Sequence, residues 1–181
     1  MWSGDYEGVK KLKELIEKIE QWGKDRGLDK KATLEGQMIK TAEEIAELII
    51  GISKDKIDVI KDSIGDVYVT LTIGNLINRK FDMAKIYDSC KHKFDRIPKG
   101  HISYDKTKQI RLLADKIEAT LRSGYEREIL EGTQYLLLRL ADTYGLDFVE
   151  CVESAYEEIK DRKGRIIDGT FVKESDLIDK D

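Results

Sequence analysis

The sequence predicts an all-α protein, on three observations. Leu, Ile and Val recur at spacings of three and four through most of the 181 residues, which is the helical period. The chain holds one proline, so few helices are broken from within. Charged residues make up 38% and hydrophobic ones 40%, with no low-complexity tract, which favours a compact helical protein over a disordered chain or a β-sandwich. The length suffices for one good core or two small ones.

Each element follows from the same period. Val9, Leu12, Leu15, Ile16 and Ile19 predict a helix over residues 6–22, with Gly23 and Gly27 as stop signals. Helices are predicted next over 32–52 and 56–78. One over 82–94 starts at Asp82, a residue suited to an N-cap. Residues 96–101, Arg-Ile-Pro-Lys-Gly-His, contain the only proline and form the best candidate linker. Further helices are predicted over 106–122, 126–144 and 148–162. The tail from Lys163 to Asp181 reads as irregular or briefly extended, with turn signals at Gly164 and Asp168-Gly169.

The second half resembles a worn copy of the first. Gln37-Met38-Ile39 and Ala42-Glu43-Glu44-Ile45 align with Gln109-Ile110-Arg111 and Ala114-Asp115-Lys116-Ile117. Phe81-Asp82-Met83 and Asp88-Ser89 align with Leu146-Asp147-Phe148 and Glu153-Ser154. The expected organisation is a working half, 1–97, and a structural half, 98–181, packed as an internal pseudo-dimer bundle.

Composition excludes several function classes. A net charge of −4 argues against a general nucleic-acid binder, which usually carries a basic excess. Met1-Trp2-Ser3-Gly4-Asp5 lacks the basic start and apolar stretch of a signal peptide. No apolar run approaches the roughly 20 residues that cross a bilayer. Cys90 and Cys151 are isolated in helical patterns, so they read as reduced core thiols of a cytoplasmic protein. A homo-oligomer, dimer or tetramer, is compatible with the sequence.

Two acidic stripes interrupt the apolar pattern. On a helical projection Gln37, Lys40, Glu43, Glu44 and Glu47 fall in a sector roughly 120° wide, with apolar residues over most of the rest. Asp62, Ser63, Asp66 and Thr70 form a stripe on the next helix, surrounded by Ile60, Ile64, Val67, Tyr68, Leu71 and Ile73. Helices apolar nearly all round are buried, and buried carboxylates need a partner. Five acids beside one lysine therefore call for a cation. The all-oxygen donor set suits Mg²⁺, or Mn²⁺. The second half cannot repeat the site, because Lys116, Ala119 and Arg127 stand where Glu44, Glu47 and Asp62 do.

A di-iron bundle would need Glu-x-x-His motifs. The two histidines, His92 and His101, lie off the acidic helices. Hard divalent ions held by carboxylates commonly serve phosphate substrates. No GxxxxGK[ST] loop occurs, so phosphate binding falls to the metal and to basic side chains. Lys160, Arg162, Lys163 and Arg165 cluster near the end of the chain as a candidate phosphate clamp.

The arrangement Gln37-x-x-Lys40-x-x-Glu43-Glu44-x-x-Glu47, followed by Ile64-Gly65-Asp66-Val67, resembles the MazG-like all-α nucleoside triphosphate pyrophosphohydrolases. The tail from Tyr156 to Gly164, with Asp168-Gly169-x-Phe171-Val172, resembles the end of phage and Gram-positive proteins of that kind. The resemblance implies a four-helix catalytic unit that uses Mg²⁺ to split an NTP or dNTP into monophosphate and pyrophosphate. It carries metal-ligand roles to Glu44, Glu47 and Asp66. Ser63 stands where the family has Glu, and Asp62, one turn before Asp66, is the expected substitute. Glu43 is a further ligand or the base for the attacking water. Lys40 is expected beside it in a catalytic role, and Gln37, Lys160, Arg162 and Lys163 are expected on the substrate. A dUTPase or dCTPase specificity stays open, as does a helical interaction module that keeps the acidic motif without turnover.

Overall fold

A computed structural model of the chain describes residues 6–78, 80–97 and 105–180. Among them are eight α-helices, a two-stranded hairpin and a closing 3₁₀ segment. The helices are α1 (Tyr6–Asp25), α2 (Leu28–Lys31), α3 (Leu34–Ser53), α4 (Ile57–Asn78), α5 (Met83–Asp95), α6 (Lys106–Ser123), α7 (Arg127–Thr143) and α8 (Phe148–Ile159). The hairpin is β1 (Gly164–Ile167) with β2 (Thr170–Lys173), and the 3₁₀ segment is Glu174–Lys180. The all-α expectation holds. No helix among the described residues is long and apolar enough to cross a membrane.

Four helix starts obey capping chemistry. Thr33, Asp82, Asp105 and Asp147 each accept a backbone N–H three residues on through the side chain, satisfying a donor the helix leaves open. The first helix outruns its expected stop. Gly23 lies inside α1, where a Cβ would sit 2.7 Å from Ile73 of α4. It is glycine so that α1 can lie close to α4. The chain turns instead at Gly27, whose φ of 72° favours glycine, and a short α2 follows.

α4 is the central element, packed against α1, α2, α3, α7 and α8. Ile60, Ile64, Val67, Tyr68 and Leu71 are fully buried on it. Of these, Ile60, Ile64, Val67 and Leu71 each contribute about 1.5–3 kcal/mol by leaving water. Gly65 lets α8 approach: a Cβ there would stand 2.2 Å from the Cys151 carbonyl oxygen. One contiguous core includes residues from all eight helices.

Packing across the two expected halves is reciprocal. α3 meets α6, α4 meets α8, and α5 meets α7. A two-fold relation between α3–α5 and α6–α8 would turn the α4–α8 contact into the α7–α5 contact. The caps agree with it, Thr33 matching Asp105 and Asp82 matching Asp147. The chain nevertheless crosses the 97/98 boundary at its end. The hairpin from the second half docks on the first, where the Thr33 N–H donates to the Gly169 carbonyl at 2.9 Å. The tail is briefly extended, one of the two forms expected, and Gly164 opens a strand rather than a turn. Asp168 and Gly169, both at positive φ (48° and 79°), form the hairpin turn. Most of the expected linker, including Pro98 and His101, lies outside the described residues. Cys90 and Cys151 are free and buried, as expected.

Candidate active site

A cleft of about 120 Å³ opens where α3, α4, the end of α8 and the hairpin converge on α1. Its charged lining residues are Lys40 and Glu44 from α3, Asp66 from α4, Arg162 after α8, Lys173 from β2 and Asp176 from the 3₁₀ segment. Its apolar lining residues are Trp22, Leu28, Val69, Ile73, Ile159 and Phe171.

The local sequence explains each position. Residues 37, 40 and 44 recur at three and four along α3 and so share a face. Gln37 is 8% exposed and donates through Nε2 to the Thr70 carbonyl at 3.0 Å, which fixes α3 against α4 beside the site. Gly65 brings α8 onto α4 next to Asp66, and the turn after α8 delivers Arg162. Trp22 meets Phe171 edge-on at 5.6 Å, joining α1 to the hairpin.

Electrostatics mark the charged side. Burial pushes Asp66 up to about 7, and the charges of Glu44, Glu158 and Asp62 push the same way against Arg162. Glu44 is raised too, by burial and then by Glu47, with Lys40 and Lys173 opposing. Burial lowers Lys40, but its hydrogen bond to Glu43 and the charges of Glu43, Glu44 and Glu47 leave it raised. Two crowded carboxylates that resist joint ionisation form a place where a cation would be welcome.

The sequence-based site is therefore narrowed. Gln37, Lys40, Glu44, Asp66 and Arg162 come together in the cleft. Glu43, Glu47 and Asp62 are exposed, so the stripes are half-solvated edges rather than fully buried faces. Glu43 is engaged by Lys40 in an ion pair. Glu47 and Asp62 are not among the lining residues, but their charges act on Glu44 and Asp66. Ser63, at the family's Glu position, is 2% exposed and belongs to the core. Lys160 pairs with Glu157 on the surface, and Lys163 and Arg165 are exposed, so Arg162 is the member of the basic cluster that lines the cleft. Trp22, Lys173 and Asp176 were hidden from sequence reasoning. Trp22 fits the apolar period of α1 as an ordinary core residue, and Lys173 reaches the site only through the hairpin fold. Phe171 lay in the tail motif, but nothing in its spacing marks it as cleft-lining.

Among the described residues no three His, Cys, Asp or Glu side chains stand close enough to form a metal cluster. The donor set still fits Mg²⁺, which is commonly held by one or two carboxylates plus substrate phosphates. Glu44 and Asp66 supply the two, and Asp176 is a third carboxylate on the lining.

A protein of Haemophilus phage HP1 (strain HP1c1), an uncharacterized 18.2 kDa protein in the rep-hol intergenic region, is similar to part of this chain. The two are 52% identical over 62 residues, which is 34% of this chain and 38% of that relative. The match thus spans well under half of either protein. No protein-family model matches the chain, and no solved structure gives a significant match.

Proposed function

We propose that the protein is a cytoplasmic, Mg²⁺-dependent nucleoside triphosphate pyrophosphohydrolase of the MazG-like kind. The observation that carries this reading is the mixed lining of the cleft. The raised carboxylates Glu44 and Asp66, with Asp176, share one cleft with three cationic side chains and with the apolar rings of Trp22 and Phe171. That mixture suits an amphiphilic ligand with a flat apolar group and a multivalent anion.

Glu44 and Asp66 would hold the metal, and Lys40, Arg162 and Lys173 would bind phosphate oxygens. Arg162 offers a planar fork of donors, whereas the two lysines act as point charges. Glu43 enters as the partner that orients Lys40 rather than as the base, since it stands outside the cleft. Trp22, Leu28, Val69, Ile73, Ile159 and Phe171 would exclude water from the base and sugar. When bound, Mg²⁺ would neutralise charge on the departing pyrophosphate.

A panel of NTPs and dNTPs, including dUTP and dCTP, tests the reading. Pyrophosphate and the monophosphate should appear in Mg²⁺ and not in EDTA. Release from none of the panel would overturn it in favour of a non-catalytic helical module.

A further inference from the structure

The backbone of Arg162 is bound by Arg26, which lies 136 positions away, just past the end of α1. A helix leaves its last carbonyls without partners. At the end of α8 and in the turn after it, the carbonyls of Ile159, Lys160 and Arg162 are taken by Trp22 of α1 and by Arg26, the residue that follows α1. Trp22 Nε1 donates to the Ile159 carbonyl at 2.7 Å. Arg26 Nη2 donates to the Lys160 carbonyl at 3.1 Å. Arg26 also forks onto the Arg162 carbonyl, with Nε at 2.9 Å and Nη2 at 2.7 Å. Its guanidinium lies 4.5 Å from the centre of the Trp22 ring, a stacked cation–π arrangement, and Trp22 in turn touches Phe171.

We propose that Arg26, stacked on Trp22, is a positioning residue that fixes the Arg162 backbone from behind so that its side chain faces Asp66 across the cleft. Lysine could reach one carbonyl but could not reproduce both the fork and the stack. Arg26 itself is not among the cleft-lining residues, so it acts through Arg162 and not on a ligand. Only the kinetic arm of its test rests on the nucleotide reading.

The first arm is a double-mutant cycle on Arg26→Gln and Arg162→Gln, using whichever nucleotide the wild type hydrolyses. Each single variant should lose at least about tenfold in kcat/KM, chiefly through KM. The double variant should be no worse than Arg162→Gln within about threefold. Losses that multiply, or wild-type kinetics in Arg26→Gln, would overturn the proposal. The second arm is amide hydrogen exchange. The Arg162 N–H, which donates to the Ile159 carbonyl at 2.8 Å, should lose at least about tenfold protection in Arg26→Gln while α3 and α4 amides keep theirs. Unchanged protection would overturn the proposal even if the wild type hydrolyses no nucleotide, a result that by itself sinks only the functional reading. If Arg26→Gln does not fold, Arg26→Lys carries both arms, with intermediate losses expected and wild-type values overturning.

Discussion

At the scale of single residues, Asp66 dominates. Its folded pKa of about 7 lies above its ordinary value of 3.8, so the fold prefers the protonated form. The stability this group contributes is full below about pH 4 and is lost as pH rises through 7. Asp66→Asn mimics the protonated state. In EDTA it should stabilise the protein by ~1–4 kcal/mol at pH 8 and change it little at pH 4. Denaturant titrations at both values check this, and a difference that ignores pH would refute the frustrated-carboxylate account. Added Mg²⁺ or Mn²⁺ should raise the melting temperature of the wild type at pH 8 but not that of Asp66→Asn. Neighbouring acids should rank by placement. Glu44→Gln should weaken metal binding by about tenfold or more, whereas Glu47→Gln and Asp62→Asn, which only lend charge from the rim, should weaken it by less than about threefold. Calorimetry with Mn²⁺ would expose the opposite order.

At the scale of elements, two contacts set the cleft. Gly65 decides how closely α8 approaches α4, because a Cβ would meet backbone rather than a flexible side-chain end. Gly65→Ala should cost about 1–3 kcal/mol and reduce kcat/KM as α8 retreats with Arg162. Wild-type stability and turnover in that variant would show that the helices can part without consequence. The hairpin is the second contact. Removing residues after Asp161 deletes Arg162, Phe171, Lys173 and Asp176 together, four residues that line the cleft. Activity should fall by more than the tenfold or so expected from losing one phosphate contact, while metal binding, held on α3 and α4, persists. Mn²⁺ affinity and pyrophosphate release measured on the same truncated protein separate the two effects.

At the scale of the whole molecule, the halves depend on each other. A 1–97 fragment would bare the faces of α3, α4 and α5 that now meet α6, α8 and α7, including the Gly74 surface filled by the ring of Tyr125. Exposed apolar surface of that extent drives association. The fragment should aggregate or self-associate, and it should be inactive for want of Arg162 and Lys173. A soluble, monomeric and active fragment in sedimentation and pyrophosphate-release measurements would mean that the second half is dispensable.

What the sequence alone determined is what local chemistry controls. Helical period, capping residues such as Asp82 and the paucity of proline fixed the seven long helices to within a few residues, apart from the first one's extension past Gly23. The spacing of Gln37, Lys40 and Glu44, and the Gly65-Asp66 pair, already marked the face on which the cleft lies. What only the tertiary structure decided is which members of each stripe are desolvated, because periodicity gives a direction around a helix and not the depth of its neighbours. Glu43 and Asp62 share faces with cleft residues yet stand in solvent. Arg162 was separated from Lys160 and Lys163 by a single turn held by Arg26, and Lys173 was brought in by a hairpin seated on Thr33. Those placements come from contacts between residues far apart in the chain, and no local pattern carries them.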